Sequence, residues 1–268
     1  MDALTPGGPD RPIDLGDLRL ECRRLPAARP GLPTLVLLHE GLGSVAMWRN
    51  FPAQLAMATG CAVLIYSRRG YGGSDAHAPP WGLDYMHREA QDILPRILAA
   101  EGIDQAILIG HSDGASIAAI HAGSDTDGRV CGLVLIAPHL FVEEICLTSI
   151  QAAKRAYEDG PLRFGLSKYH GANVDHAFWG WNGAWLDPDF GDWDIRGFLP
   201  GIQVPTLVLQ GAEDEYGTEA QLDAVVDGVS GPVTKIMLPN CRHSPHKDQP
   251  ESTVGHIANL VSRASATH

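Results

Sequence analysis

The stretch AILIGHSDGASIAAIHAG, residues 106–123, changes character at its centre. An apolar run typical of a buried strand ends at Gly110, and small residues that suit a helix follow Gly114. A histidine, a serine and an aspartate stand between these glycines, which gives the pattern Gly-x-Ser-x-Gly. A turn of this kind between a strand and a helix presents its serine to the helix N-terminus, which favours developing negative charge. The stretch predicts a nucleophile elbow with Ser112 at its tip; a plain turn with a capping serine is the alternative.

Short apolar runs and helical patterns alternate along the rest of the chain. The runs are near-continuous in Val, Ile and Leu, as expected of parallel strands covered on both faces. They lie at 34–39, 61–67, 106–110, 130–138, 205–211 and 233–239. Helical patterns lie at about 84–101, 113–122, 217–228 and 248–265. This alternation predicts an α/β protein with a mostly parallel, doubly wound sheet, and residues 13–24 predict an antiparallel hairpin at its edge.

One interval interrupts the alternation, because residues 140–199 contain no strand pattern. Two helical patterns occur there, at 141–160 and 173–187, and the second is rich in tryptophan. An insertion of this length is too long for an ordinary connection. We therefore predict a helical cap, residues 140–199, inserted after the sixth strand into a core formed by residues 1–139 and 200–268.

Composition excludes several classes of function. The 268 residues carry a formal net charge of −12, which argues against binding to nucleic acid or to an anionic membrane. No apolar stretch approaches the length of a membrane span, and the first residues lack the apolar core of a signal peptide. Five scattered cysteines without a Cys-x-x-Cys pair favour a reduced, cytoplasmic protein. Twelve histidines without ligand spacing leave metal binding a weak alternative, and we expect no metal or cofactor.

A serine nucleophile needs a base that is held by an acid, in the chain order Ser, acid, His. LVLQGAEDEYG places Asp214 just past one strand, and MLPNCRHSPHKDQP places His243 in the loop after the next. Together with SRRGYGGSD at 67–75, these motifs resemble those of the α/β-hydrolase superfamily over essentially the whole chain. The resemblance implies an α/β-hydrolase sheet and a catalytic triad of Ser112, Asp214 and His243.

Two positions of the triad have competitors. Glu213 and Glu215 flank Asp214 and could also serve as the acid. His246 competes with His243, although the family pattern Gly-His-x-x-His makes the first histidine catalytic. Arg242 departs from that pattern, since it stands where the family has glycine. Three further histidines at strand ends (His39, His111 and His139) are interpreted as polar residues that line the pocket.

An oxyanion hole needs two backbone N–H groups. One is expected from Asp113, the residue after the nucleophile, and the other from Gly41, with Leu42 as the alternative. Members of the family usually carry His-Gly-x in this loop, so Glu40 is a departure. A carboxylate that pointed into the hole would oppose the oxyanion, and we therefore expect the side chains of Glu40 and Asp113 to point away or to bind a partner.

The leading hypothesis is a serine hydrolase that cleaves a small carboxylic ester, thioester or lactone. The cap tryptophans predict an apolar or aromatic substrate, in contact with Glu40, Leu42, Trp48, Phe141, Trp179 and Trp181. A C–C bond hydrolase for ring-cleavage diketones, a cofactor-free dioxygenase and a non-catalytic ligand-binding protein are alternatives. Haloalkane dehalogenases and epoxide hydrolases are disfavoured, because both carry aspartate at the nucleophile position. A monomer or a homodimer is expected.

Overall fold

The computed structural model describes residues 10–124 and 128–265. A seven-stranded sheet forms the centre of this part of the chain, with the strand order β3-β5-β4-β6-β7-β8-β9. Its strands are β3 (Cys22–Leu25), β4 (Thr34–Leu38), β5 (Val63–Tyr66), β6 (Ala106–His111), β7 (Val130–Ile136), β8 (Thr206–Gly211) and β9 (Val233–Leu238). Only β3, at one edge, pairs antiparallel. The predicted mostly parallel α/β sheet is confirmed.

The N-terminal segment differs from the predicted edge hairpin. Two-residue strands β1 (Ile13–Asp14) and β2 (Arg19–Leu20) pair in a small sheet of their own, and β3 alone joins the main sheet. The segment therefore holds three short strands rather than two. For this reason the insertion expected after the sixth strand follows the seventh strand, β7.

Helices cover both faces of the sheet. They are α1 (Phe51–Thr59), α2 (Tyr85–Arg88), α3 (Leu94–Ala100), α4 (Asp113–Ser124), α5 (Glu144–Glu158), α6 (Leu162–His170), α7 (Val174–Trp185), α8 (Glu219–Gly228), α9 (Pro245–Asp248) and α10 (Pro250–Ser265). A π-helical turn, Glu89–Ile93, joins α2 to α3. Helix α1 was not predicted from the sequence, although Gly60 ends it in the left-handed conformation that often terminates a helix.

Alternate residues of each central strand face opposite layers, as strand geometry requires. In β4, Leu35 and Leu37 pack in the layer that holds α1 and α10, whereas Val36 and Leu38 pack in the layer that holds α4 and the cap segment. All four side chains are buried. The two layers together clamp the sheet, so the turns at the carboxyl ends of its strands are held firmly.

The cap segment, residues 140–199, contains α5, α6 and α7 between β7 and β8. Tyr157 of α5 stacks on Phe178 of α7 with ring centroids 3.6 Å apart. The segment is tied to the core by His170, whose Nδ1 accepts a hydrogen bond from the Gly72 N–H (3.1 Å) and whose Nε2 lies 3.0 Å from the Leu42 carbonyl oxygen. No helix within residues 10–124 and 128–265 is long and apolar enough to cross a membrane.

Candidate active site

Ser112 lies on a strained turn between β6 and α4. Its φ is +54°, in the left-handed region that residues with a side chain rarely adopt. The turn is possible because its flanks are glycines: a Cβ atom on Gly110 would lie 2.2 Å from the Gly114 carbonyl oxygen, and one on Gly114 would lie 2.1 Å from the Leu38 carbonyl oxygen. The Ser112 N–H donates to the Ile136 carbonyl oxygen at 2.9 Å. The backbone therefore fixes the serine at the end of β6.

His243 and Asp214 form a hydrogen-bonded pair. The Nδ1 atom of His243 lies 2.8 Å from Oδ1 and 3.0 Å from Oδ2 of Asp214. Asp214 follows β8, and its carboxylate also accepts a hydrogen bond from the Tyr216 N–H at 2.8 Å. Burial alone would raise the pKa of Asp214, but the hydrogen bond from His243 and the interaction with its charge lower the pKa below its usual range. An ionised Asp214 holds the imidazole with Nε2 free to act as a base.

The alternative candidates for the acid and the base, Glu213, Glu215 and His246, make different contacts. Glu213 is exposed, and Glu215 accepts a hydrogen bond from the His243 backbone N–H (3.3 Å) while its other oxygen lies 3.3 Å from Arg242. His246 is buried, with ring centroids 4.8 Å from Trp48 and 4.7 Å from His111. Only Asp214 among these acids contacts the imidazole of His243.

Ser112 and His243 open into one cavity of about 190 Å³. Core loops supply most of its wall, and the helices α5 and α7 of the cap segment supply the rest. Its lining residues are Glu40, Gly41, Leu42, His111, Ser112, Asp113, His139, Cys146, Ile150, Trp181, Trp185, Glu215, Tyr216, His243 and Ser244. A substrate in this cavity would contact the serine, the imidazole and both residues predicted to form the oxyanion hole.

A buried arginine, Arg68, forms hydrogen bonds with the loop that follows β4. The Arg68 guanidinium donates to the carbonyl oxygens of His39 and of Glu40, the second at 3.1 Å. The backbone N–H of Arg68 donates to His39 Nε2 at 3.1 Å. The Gly43 N–H also donates to the Glu40 carbonyl oxygen at 3.0 Å, which closes the loop into a turn around Gly41 and Leu42. At Gly41 a Cβ atom would lie 2.1 Å from the Trp181 Nε1 atom, so only glycine fits against this indole.

Both carboxylates beside the predicted oxyanion hole have partners. Glu40 lies 3.2 Å from the Lys247 Nζ atom and 3.5 Å from His111 Nδ1. Burial would raise the pKa of Glu40, but Lys247 and His111 outweigh burial and lower it. Asp113 accepts hydrogen bonds from the hydroxyl of Tyr85 (2.5 Å) and from Nε1 of Trp185 (3.2 Å). Both carboxylates therefore have partners, as expected, and both residues line the cavity.

Comparison with known proteins assigns the family. Residues 35–255 match the Alpha/beta hydrolase family. The chain belongs to this family. It is 34% identical to epoxide hydrolase A of Mycobacterium tuberculosis (strain ATCC 25618 / H37Rv) over 108 residues, which are 40% of this chain and 32% of that protein. The chain thus matches about a third of that relative's length.

Solved structures agree on the fold. Proline iminopeptidase of Mycobacterium smegmatis superposes with a TM-score of 0.70 at 20% identity, covering 96% of this chain and 99% of that one. A serine hydrolase involved in carbazole degradation superposes with a TM-score of 0.73 at 19% identity, covering 94% and 98%. These superpositions show the fold, and the family match over residues 35–255 assigns the chain to the hydrolase enzymes, so the predicted fold and superfamily are confirmed.

The structure divides the residues predicted to contact substrate into two groups. Glu40, Leu42 and Trp181 of the hydrolase line the cavity. Trp48, Phe141 and Trp179 do not. Trp48 packs behind the loop, against Phe51 and His246; Phe141 lies under the Arg196 guanidinium; Trp179 packs on Tyr157 and Phe178 inside the cap segment.

Other lining residues were missed by the sequence analysis. Cys146 and Ile150 stand one helical turn apart on α5, so the four-residue spacing in an amphipathic helix was the available signal. The role of Arg68 was also not predicted. Arg68 belongs to the family motif at 67–75, but it contacts His39 and Glu40, which are distant in sequence, so the motif alone did not indicate these contacts. Within the described part of the chain, no group of three or more His, Cys, Asp or Glu residues is placed to hold a metal ion.

Proposed function

We propose that this protein is a serine hydrolase that cleaves a small carboxylic ester, thioester or lactone through an acyl-enzyme on Ser112. One observation carries the proposal. Ser112, on a turn with φ of +54°, shares a cavity with His243, whose Nδ1 lies 2.8 Å from Asp214. A serine, a base and an orienting acid in chain order and in one place are the requirements for acyl transfer.

The reaction follows from the position of each group. Nε2 of His243 takes the proton of the Ser112 hydroxyl as the serine oxygen bonds to the substrate carbonyl carbon. The N–H groups of Gly41 and Asp113 bind the resulting oxyanion. His243 then protonates the departing oxygen of the alcohol or enol, or the departing sulfur of the thiol, and the acyl group stays on Ser112. A water molecule, deprotonated by His243, attacks this ester and releases the acid and the free serine.

The size of the cavity limits the substrate. An engineered protein cavity of about 150 Å³ holds a benzene molecule, so the 190 Å³ here suits an acyl group only slightly larger than one aromatic ring. Ile150, Trp181 and Trp185 supply apolar surface for such a group. In this proposal the cap segment, residues 140–199, acts as the lid that sets the substrate's size.

The charge of the cavity limits the substrate as well. Its lining includes Glu40, Asp113 and Glu215, and none of the lining residues in the described ranges is lysine or arginine. The Lys247 ammonium, which lies 3.2 Å from the cavity residue Glu40, is paired with its carboxylate. A substrate carboxylate would meet no free cation, so we infer that neutral or cationic substrates are preferred.

Turnover of p-nitrophenyl esters tests the proposal. The panel runs from acetate to octanoate and includes benzoate, with a fluorophosphonate probe to label the nucleophile. We expect the short esters and benzoate to be hydrolysed, and Ser112→Ala to abolish labelling and to lower kcat by about four orders of magnitude or more. Ser252→Ala, on α10, is the matched control. Turnover that survives Ser112→Ala, or a wild-type protein that hydrolyses no ester, contradicts the proposal.

A further inference from the structure

His139 is a cavity residue for which the reaction above has no use. It follows β7 and is 2% exposed. Its ring centroid lies 5.7 Å from that of His243 and 5.1 Å from that of Trp185. The Ser116 hydroxyl donates to its carbonyl oxygen at 2.6 Å, which holds the backbone in place. The backbone of His139 is therefore held in the cavity wall, with its imidazole beside that of His243.

The ring of His139 has unused hydrogen-bonding capacity. Its Nδ1 atom is buried and has no hydrogen-bond partner. The Nδ1 atom of His111 also lacks a hydrogen-bond partner, but it lies 3.5 Å from a Glu40 carboxylate oxygen, and the Nε2 atom of His111 lies 2.8 Å from the His243 carbonyl oxygen. Buried polar groups without a partner are rare in proteins, and each one calls for an explanation; His139 lines the cavity, where a substrate group can supply the missing partner.

Burial also keeps this imidazole uncharged, since it lowers the pKa of His139 to about 3. A neutral imidazole has one donor and one acceptor nitrogen. Rotation about the Cβ–Cγ bond exchanges the ring edges, so that either nitrogen can be presented to the cavity. A hydroxyl group, which both donates and accepts, is the complementary substrate group.

We propose that His139 is a specificity-determining residue that hydrogen-bonds a hydroxyl group of the substrate, close to the scissile carbonyl. The inference rests on the proposed function. The reacting carbonyl must lie within reach of both Ser112 and His243, and the rings of His139 and His243 are 5.7 Å apart. A group that touches His139 is therefore about three or four bonds from the carbonyl carbon, given hydrogen-bond lengths near 3 Å. The hydroxyl can belong to the acid part or to the alcohol part.

Two pairs of esters test this inference and separate the two sources. The first pair is the p-nitrophenyl esters of β-hydroxybutyrate and isovalerate, in which a hydroxyl replaces a methyl group on the acid. The second is glycol monobutyrate and propyl butyrate, in which the replacement is on the alcohol. The readout is the ratio of kcat/KM for the hydroxylated ester to kcat/KM for its methyl counterpart, in wild type, His139→Phe and His139→Gln. His256→Phe, on α10 outside the cavity, is the matched control.

We expect the wild-type ratio to exceed one by about tenfold in one pair, which identifies the part that carries the hydroxyl. His139→Phe should reduce that ratio to about one or below, His139→Gln should retain part of it through its amide, and His256→Phe should keep it. A wild-type ratio near one in both pairs overturns the inference, as does a ratio that His139→Phe leaves intact. Failure of the proposed function is recognised separately, because Ser112 then takes no phosphonate label.

Discussion

The cavity of this hydrolase has two walls of different character. The core wall presents Ser112, His243 and Gly41, which stand on turns at the carboxyl ends of parallel strands. The cap wall presents Cys146, Ile150, Trp181 and Trp185, which stand on the helices α5 and α7. The difference is that backbone geometry positions the proposed catalytic residues, whereas side-chain packing positions the surface proposed to select substrates.

Two of the contacts between the walls lie at the predicted oxyanion hole. At the first, the Trp181 indole lies against Gly41, where even one methyl group has no space. At the second, Nε1 of Trp185 reaches the carboxylate of Asp113, which Tyr85 holds from the core side. Both contacts join a cap tryptophan to a residue of the predicted oxyanion hole. A change in the position of the cap segment is therefore transmitted to the N–H groups that would bind the oxyanion.

The largest effect is expected from a change confined to the core wall. Asp214→Asn keeps the shape of the acid but no longer holds the His243 imidazole in its active tautomer. We expect kcat to fall by about three to four orders of magnitude with little change in KM, measured by steady-state kinetics on the best ester. Glu213→Gln, the exposed neighbour, serves as the control and should retain wild-type kinetics. A mild effect of Asp214→Asn would assign the orienting role to another acid.

The core wall could be predicted from sequence because its signals are local. The glycines around Ser112 follow from the space available at one turn, and Asp214 and His243 each directly follow a recognisable strand. The alternation of buried strands and helices likewise predicted the sheet. Parallel strands end at the same edge, so residues that follow them meet without any knowledge of side-chain packing.

The cap wall could not be predicted in the same way. Tryptophan composition indicated an aromatic pocket, but which face of α7 is turned inward depends on the helices packed against it. Trp181 therefore lies in the cavity, while Trp179, two positions earlier, packs on Tyr157. The position of Trp48 in the core could not be predicted either. Its ring packs against Phe51 and His246 rather than lining the cavity.

Gly41→Ala tests the first contact between the walls. The added methyl group would lie 2.1 Å from the Trp181 indole nitrogen, so the cap segment or the loop must move. We expect a loss of about 1–3 kcal/mol in the free energy of unfolding together with a lower kcat, measured by urea denaturation and ester turnover. Gly165→Ala, at an open position in α6, should cost nothing or stabilise the protein slightly.

The same contact can be isolated with a double-mutant cycle. In a Trp181→Leu background, the alanine at position 41 has space, and most of its cost should disappear. Additive losses in the double mutant would show that the two residues act independently, and would separate the cap wall from the oxyanion loop.

Tyr85→Phe and Trp185→Phe compare the two walls at the second contact. Each change removes one donor to the Asp113 carboxylate, which becomes freer to turn toward the oxyanion, so both should lower kcat by about threefold to tenfold. Of these two residues, Trp185 lines the cavity and Tyr85 does not. Only the replacement of Trp185 should therefore shift the preferred acyl length toward longer esters. Chain-length profiles of kcat/KM measure the difference. Identical profiles for the two variants would contradict the division of roles.

The smallest effect concerns the cap segment alone. Asp175 of α7 accepts hydrogen bonds from Arg163 of α6 at 2.9 and 2.7 Å and from the Tyr157 hydroxyl of α5 at 2.6 Å. The bonds from Arg163, and then that from Tyr157, lower the pKa of Asp175 from 3.8 to about 2. Because the folded pKa is depressed, this stabilisation is present above pH 4 and is lost as the pH falls toward 2.

The side chains of Arg163 and Asp175 are both about half exposed, so solvent screens their attraction. We expect this ion pair to contribute at most about 1 kcal/mol to the free energy of unfolding. Asp175→Asn should lose this amount at pH 7, with kcat unchanged, and the gap between variant and wild type should close between about pH 4 and pH 2. Urea unfolding across that range, with and without added salt, measures it. A gap that persists at low pH would mean that Asp175 acts through packing, and the three cap helices would then be held together by their aromatic contacts rather than by this charge.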